Sequence, residues 1–470
     1  MSAVPASRRR FAPPVWAGGL FLLLLLLRIS APVPAAEPIA GAGTNQVYPI
    51  DLPTTLQLAS AQNLDIQIAR QKLAEAKANH ESAVAQFFPW LSPGVAYRRH
   101  DNRIQDVAGN MLDADKQAYA VGGALTAQLD LGDALYKSLV AKQLVTVAGL
   151  ALESQRQDSS LAAVQAYYDL AKAKALVEVV QEALSISSDY QRQLHQAVDL
   201  GIAFKGDELR VQTQTERYEL ALRQAREQQR VAAARLAQAL HLDPSVDLAP
   251  ADADLVPLTL VGTNVPLDSL MQQALQWRPE LKQSQGLVTA ARDARKGAVY
   301  GPLIPSLGAQ AFGGGLGGGK NGSLGNFGDS EDYLVGLGWR IGPGGLFDAS
   351  RLHASNARLE AARLTRAKVQ DEIARQVVES HVRAQSLQDQ IATTKQNLAT
   401  AAETLRLTRQ RKQFGVGAVL EDIQAQQELA RARSDHLSAV AELNKAQFAL
   451  TKAIGGLRAS GLPEGVARPQ

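Results

Sequence analysis

The chain has 470 residues and nearly balanced charge, 49 Lys and Arg against 46 Asp and Glu, for a net +3, and it contains no cysteine. The interspersed signs leave no basic stripe for nucleic acid. The missing thiols exclude disulfides, thiolate metal sites and a lipid-anchored N-terminal cysteine. The length would hold two or three ordinary domains, but a long internal repeat points to one duplicated architecture.

In chain order, Arg8-Arg9-Arg10, an apolar run from Leu20 to Leu27 and the small residues before Glu37 read as a secretory signal over 1–36. The run is too short to be kept as a membrane-spanning helix, and no later segment reads as one. If the mature chain crosses a membrane, a β-barrel is the remaining route. The first repeat, 37–242, opens with a loose Pro/Gly segment and then a helix from Pro53 to Phe88, ended by Phe88-Pro89-Trp90. From Gly94 the period changes to two. After a polar tip, His100 to Lys116, the chain returns with Tyr119, Val121, Gly123, Leu125, Ala127, Leu129 and Leu131 on one face. The other face carries Ala120, Gly122, Ala124, Thr126, Gln128 and Asp130, the alternation of a strand with one side in lipid.

Ala134 to Leu242 then reads as a very long helix, a tight turn at Gly201 and a helix running back. A Pro-, Asp- and Ala-rich linker covers 243–265, and the second repeat covers 266–456, before a tail at 457–470. Pro266 to Tyr300 matches the first helix, and Ser306 to Phe312 starts a strand that runs into a Gly-rich loop. The loop resembles a phosphate loop only superficially, because Gly319-Lys320 is followed by Asn321 and no helix comes after it. The return strand places Tyr333, Val335, Leu337, Trp339 and Ile341 on one face, with rings suited to a membrane-interface girdle.

Sliding one half on the other by 214 positions sets Gly201 on Gly415 and Asp207 on Glu421. The second returning helix steps through Leu429, Ala432, His436, Ala439, Leu443, Ala446, Leu450 and Ala453, an Ala-rich heptad seam that lets backbones approach closely. The first long helix, about 67 residues, would extend about 100 Å at about 1.5 Å per residue. The shorter helices of each half sum to nearly that length, so two stacked end to end would lie beside one long rod. Four strands cannot close a barrel, since the smallest have about eight. The chain must share its barrel with copies of itself.

The duplicated order resembles the outer-membrane efflux protein family, of which TolC is the type member. The motifs that carry the resemblance are Leu-x-x-x-Ala-Leu-x-x-x-Pro-Glu-Leu at Leu270 to Leu281, the corners Pro89-Trp90-Leu91 and Pro305-Ser306-Leu307, and the tips Leu200-Gly201-Ile202 and Phe414-Gly415-Val416. The resemblance implies a mostly α fold with β-barrel strands: a homotrimer whose α-helical tunnel continues into a shared 12-stranded outer-membrane barrel. It implies a passive export duct that docks on a periplasmic adaptor and an inner-membrane pump. It also implies that Glu421 and Gln424 narrow the tunnel tip, where the type member has two aspartates, and that Gly201, Ile202, Asp207, Gly415 and Val416 meet the adaptor. Where the type member has an Arg and a Tyr that latch the gate, Gly417 and Lys412 stand here.

Read without the resemblance, Glu421 and Asp422 are first-turn acids favoured by a helix dipole, and the glycines are ordinary turn glycines. The seven histidines show no metal-ligand spacing, the acid pairs Asp207-Glu208 and Asp371-Glu372 sit on solvated helix faces, and no Ser/His/Asp set appears. No cofactor, metal or enzymatic activity is expected. The rival to a duct is a non-conducting coiled-coil spacer across the periplasm, which would leave the alternating strands without a purpose.

Overall fold

The structure is a computed structural model that describes residues 47–252, 254–262, 264–320, 325–413 and 419–457, all within one compact unit, Asn45–Gln470. The leader at 1–36, the tip residues Gly415, Val416 and Gly417, and the tail from 458 lie outside the described residues.

The first half contains β1 (Val47–Ile50), α1 (Leu52–Gln62), α2 (Leu64–Ala85), β2 (Trp90–His100), β3 (Arg103–Gln105), β4 (Met111–Asp113), β5 (Lys116–Leu129), α3 (Leu131–Asp199) and α4 (Lys205–Leu240). After β6 (Asp247–Pro250), the second half repeats the order with α5 (Leu267–Trp277), α6 (Pro279–Tyr300), β7 (Ser306–Lys320), β8 (Asn326–Gly338), α7 (Ala349–Gln413) and α8 (Val419–Ala453). Both β2 and β7 start on the residue after the corner prolines Pro89 and Pro305.

The helix expected from Pro53 to Phe88 is two helices, and so is its counterpart. Asn63 leaves the helical region (ψ 128°), and its Oδ1 accepts the N–H groups of Asp65 (2.9 Å) and Ile66 (3.3 Å), which caps α2. In the second half Pro279 cannot continue α5, and Arg278 takes the extended conformation before it (ψ 124°). Each break residue also reaches the end of its own returning helix, at equivalent carbonyls: Asn63 Nδ2 donates to Ala239 O (3.1 Å) and Arg278 Nη1 to Ala453 O (3.4 Å). The stacking inferred from helix lengths is therefore real, and α1, α2 and α4, with 11, 22 and 36 residues, together match the 69 of α3.

The long helix α3 packs on α2 and α4 of its own half and on α6 and α8 of the other. The heptad seam accounts for that packing: Ala432, Ala439, Leu443, Ala446, Leu450 and Ala453 are all buried, and so are Thr215, Tyr218, Leu222, Ala232 and Leu236 on α4. Three ion pairs, Lys452 with Asp158, Lys445 with Asp169 and Arg433 with Glu182, run down the α3–α8 contact. One core cluster, around Tyr167, Leu170, Leu236 and Phe448, holds the middle of the rods. By length and composition α3 also holds a stretch apolar enough to cross a bilayer, contrary to the sequence reading. Near its start Leu135, Leu139 and Leu144 remain exposed in the single chain.

The linker between the halves is strapped down. Its β6 pairs in parallel with β1. Beyond it, Asn444 accepts from Leu258 N (2.8 Å) and donates to Val256 O (2.9 Å), while Gln447 Oε1 accepts from Leu260 N and Val261 N. The two buried amides on α8 act as backbone partners for an extended segment.

Candidate functional site: the sheet faces and the hairpin tips

The four long strands form one antiparallel sheet in the order β2-β5-β7-β8, with β2 and β8 as its edges. Register decides which side chains share a face, because directly paired residues point the same way. One row contains Tyr97, Tyr119, Gly317 and Phe327, and six residues along β8 a second row contains Leu91, Leu125, Ala311 and Tyr333. Between the aromatic rows the face spans about 20 Å at about 3.3 Å per residue, close to the apolar band of an outer-membrane strand. Leu91, Val95, Tyr97, Tyr333, Val335 and Leu337 are exposed on it, at 63 to 80% of their full surface. Asp329 and Glu331 interrupt the band on the edge strand β8, where Glu331 accepts a hydrogen bond from the Tyr333 hydroxyl (3.1 Å). The opposite face is small and polar: Ala96, Ala120, Gly122, Ala124, Thr126, Gly314 and Gln310.

Two sequence expectations about the second strand pair need correction. The Gly-rich segment up to Lys320 is not a loop but part of β7, paired with β5 and β8 on both sides. Its glycines make room for rings: Tyr119 and Phe327 stack 5.9 Å apart, and a Cβ on Gly317 would lie 2.5 Å from the Tyr119 ring. Aromatic side chains of the flanking strands thus supply the packing that β7 lacks. The strand β8 ends at Gly338, short of Ile341. Ile341 instead bridges Leu346 across the turn into α7, and Trp339 Nε1 donates to Leu303 O (3.1 Å).

At the far end of the rods, Gly201 takes the left-handed conformation (φ 73°) that closes α3, with Ile202 N donating back to Ala197 O (2.9 Å). Leu200, Ile202 and Phe204 all project from this turn with about three-quarters of their surface exposed. Beneath them Tyr190, Leu194, Val211 and Ile423 form a small core that joins the starts of α4 and α8. Gln427 Nε2 donates to Gln214 Oε1 (2.6 Å) between the same two helices.

The structure separates the acids at these helix starts. Asp207 is half-buried and pairs with Arg210 (3.0 Å), while its neighbour Glu208 is buried and bound by Lys205 (2.5 Å) and His195 (2.8 Å). The Lys205 hydrogen bond, and then that of His195, hold the Glu208 carboxyl below the usual carboxylate range. In the second repeat Asp422 is buried, at 3% exposure, with one oxygen accepting from Gln426 Nε2 (3.1 Å). Glu421 stays exposed and touches Arg411 at 3.4 Å across the hairpin, and Gln424 is exposed one turn further on. The family resemblance singled out Glu421 and Gln424 but not the Glu208 cluster. The signal for that cluster was His195 on one helix facing an acid pair across a short turn. Among the described residues no group of three or more His, Asp or Glu is arranged to hold a metal ion.

Residues 270–456, most of the second repeat, match the family described as Outer membrane efflux protein. That match covers less than half of the chain and marks its second repeat as similar to the outer membrane efflux proteins. Its fold is that of the solved outer-membrane channels. The Campylobacter jejuni channel CmeC is 15% identical, with a TM-score of 0.73 and 87% of each chain covered. VceC of Vibrio cholerae is 18% identical, with a TM-score of 0.70, over 86% of this chain and 96% of that one. The open-state channel MtrE of Neisseria gonorrhoeae is 16% identical, with a TM-score of 0.71, over 87% of this chain and 90% of that one. No curated protein matches the sequence. The match supports a part in export across the outer membrane, and nothing in the comparisons favours the spacer reading. Outer-membrane localisation is consistent with the exposed apolar band on the sheet.

Proposed function

We propose that the mature chain works as a homotrimer whose twelve strands enclose one passive duct, with the helical rods continuing it into the periplasm. The observation that carries this is the sheet itself: four strands, two free edges and an exposed apolar face. Free edges in hydrocarbon leave backbone groups unpaired at several kcal/mol each, so closure needs further strands. On one face the two edges carry opposite charge, with Arg99 on β2 and Asp329 and Glu331 on β8. The exposed Leu135, Leu139 and Leu144 on α3 supply an apolar strip for a neighbouring chain.

At the other end, Leu200, Ile202 and Phe204 around Gly201 form a projecting apolar knob suited to a periplasmic adaptor, which would link the duct to an inner-membrane transporter. Asp207, Gly415 and Val416 belong to the same proposed docking surface. Glu421 and Gln424 are the proposed constriction. Three symmetry-related copies of Glu421 would face a common axis and favour cations. Cross-linking of the detergent-solubilised protein tests the assembly. Trimer bands are expected, whereas a monomer at every cross-linker concentration would sink the reading.

A further inference from the structure

The polar face of the sheet ends in a row of basic side chains. Strand register pairs His100 on β2 with Lys116 on β5, and Lys116 with Lys320 on β7. The three residues stand side by side on neighbouring strands, at the end of the sheet farthest from the helical rods. They share the face of Ala120, two like-facing rows from the rim, and of the paired Gly122 and Gly314, three rows from it, and not the face of Val121, Leu125 and Tyr333. Like charges directly opposite across a ladder destabilise it.

Among the described residues no carboxylate forms an ion pair with Lys116 or Lys320. The carboxylates of the β2–β5 connection are engaged elsewhere: Asp101 with Arg99, Asp113 with Arg103, Asp106 with the Asn110 amide and Asp115 with the Asn102 amide. Asp329 and Glu331 alternate onto the apolar face. Asp332 shares the lysines' face but pairs with Phe312, eight residues down β7 from Lys320, or about 26 Å at about 3.3 Å per residue. Lys116 and Lys320 are exposed, and they lie on the two inner strands, which the edge of a neighbouring chain does not reach.

We propose that Lys116 and Lys320, flanked by His100, form an anion-binding collar on the inner wall at the outer mouth of the duct. The collar holds anionic solutes bearing phosphate, sulfonate or carboxylate groups as they leave. The inference rests on the trimeric duct, in which three copies place six lysines around one opening. A ring of ammonium groups selects anions as a ring of carboxylates selects cations. The two ends of the duct then differ in sign, with acids at the tip and lysines at the exit.

The test is a planar-bilayer recording of the full mature protein in zwitterionic phosphatidylcholine, so that no lipid headgroup supplies a net anion. Inorganic tripolyphosphate is added to one side at a time. Block is expected from the side that holds the barrel mouth, and the Lys116→Gln/Lys320→Gln double variant should weaken it about tenfold or more. The same variant should move the reversal potential in a KCl gradient toward cation preference. The Lys116→Arg/Lys320→Arg variant, which keeps the charge, should block like the parent and so controls for a folding defect. Equal block of parent and Gln variant, or no block from the barrel side, would overturn the collar while leaving a conducting trimer intact. Absence of any conducting trimer would overturn the duct reading, and the collar with it.

Discussion

Removing the Arg278 side chain should destabilise the chain more than any surface substitution, and the loss should depend on pH in a direction that the site fixes. Arg278 sits at the break between α5 and α6 with 3% of its surface exposed. Its guanidinium donates to both oxygens of Glu280 (2.9 and 3.0 Å), to Gln376 Oε1 (3.0 Å) and to Ala453 O (3.4 Å). It thereby joins α6, α7 and the end of α8. Truncating one member of a buried ion pair costs about 3–5 kcal/mol. The Glu280 side chain keeps 22% of its surface exposed, which places Arg278→Met near the lower end. Burial pushes the Glu280 carboxyl up, but the Arg278 hydrogen bonds and charge outweigh it and hold the group below its ordinary value. The parent's pair therefore stabilises the fold above the ordinary glutamate range and loses that contribution as pH falls through the depressed value. In Arg278→Met the burial remains, opposed only by the hydrogen bonds of the Glu280 backbone N–H and of Ser154, so the folded-state value rises. The penalty should then be full at pH 7 and shrink as the carboxyl protonates near and below about pH 4.5. Loss of helical circular dichroism on heating at pH 7 and pH 4.5 measures this, with Arg278→Met/Glu280→Met recovering most of the loss because an apolar pair replaces the ions. A double variant no more stable than the single one, or a penalty that grows on acidification, would refute the reasoning.

Glu421→Ala should weaken cation selectivity and trivalent-cation block from the tip side in planar bilayers while trimer yield stays unchanged. Its contact with Arg411 is half-exposed and worth less than about 1 kcal/mol, too little to affect assembly. Ile202→Asp with Phe204→Asp should abolish recovery of the adaptor in a periplasmic pull-down without altering single-channel conductance; unchanged recovery would remove the knob from the docking surface. Glu208 owes its depressed value to Lys205 and His195, so the tie it makes persists at neutral pH and is lost as pH falls below the ordinary carboxylate range. The protection of residues 200–210 against hydrogen exchange, relative to the intrinsic rate at each pH, should accordingly fall on acidification, and Glu208→Gln should show the lower protection already at pH 7.

Much of this fold was legible because its elements are long and strictly periodic. The heptad seam from Ala432 to Ala453 placed α8 correctly, since a stripe of small residues at that spacing can only face another helix. The β5 alternation placed its two faces for the same reason. The failures share a cause. Asn63 and Arg278 break helices whose apolar period continues across the break, and the period alone does not register a ψ change. The glycines of β7 carry no alternation because the flanking Tyr119 and Phe327 do their packing, so a strand looked like a loop. At the tip, spacing from Gly415 found Glu421 but could not show which member of an adjacent acid pair turns inward. Burial assigned that place to Asp422 in one half and Glu208 in the other.

The duplication shows that backbone geometry, and not residue identity, has been held constant. The break residues are Asn and Arg, yet both reach equivalent carbonyls, Ala239 and Ala453, at the last turn of the returning helix. The residues that end those helices are His241 and Gly455, and both are left-handed, at φ 56° and 76°. Glycine adopts that conformation without cost, whereas a non-glycine residue gives up roughly 1 kcal/mol. The rods need these fixed points because a stave made of two stacked helices stays parallel to a single long one only if the joint between them is pinned. The tips are freer to differ, and they do. In the first hairpin both acids are bound, Asp207 by Arg210 and Glu208 by Lys205 and His195, while in the second Glu421 keeps only a long, half-exposed contact with Arg411. If the two kinds of hairpin alternate around a threefold ring, the net negative charge offered at its opening comes from the second kind. In the proposed trimer, selectivity at the tip would then fall to Glu421, and the first hairpin, with its projecting Leu200, Ile202 and Phe204, would be left to bind a partner.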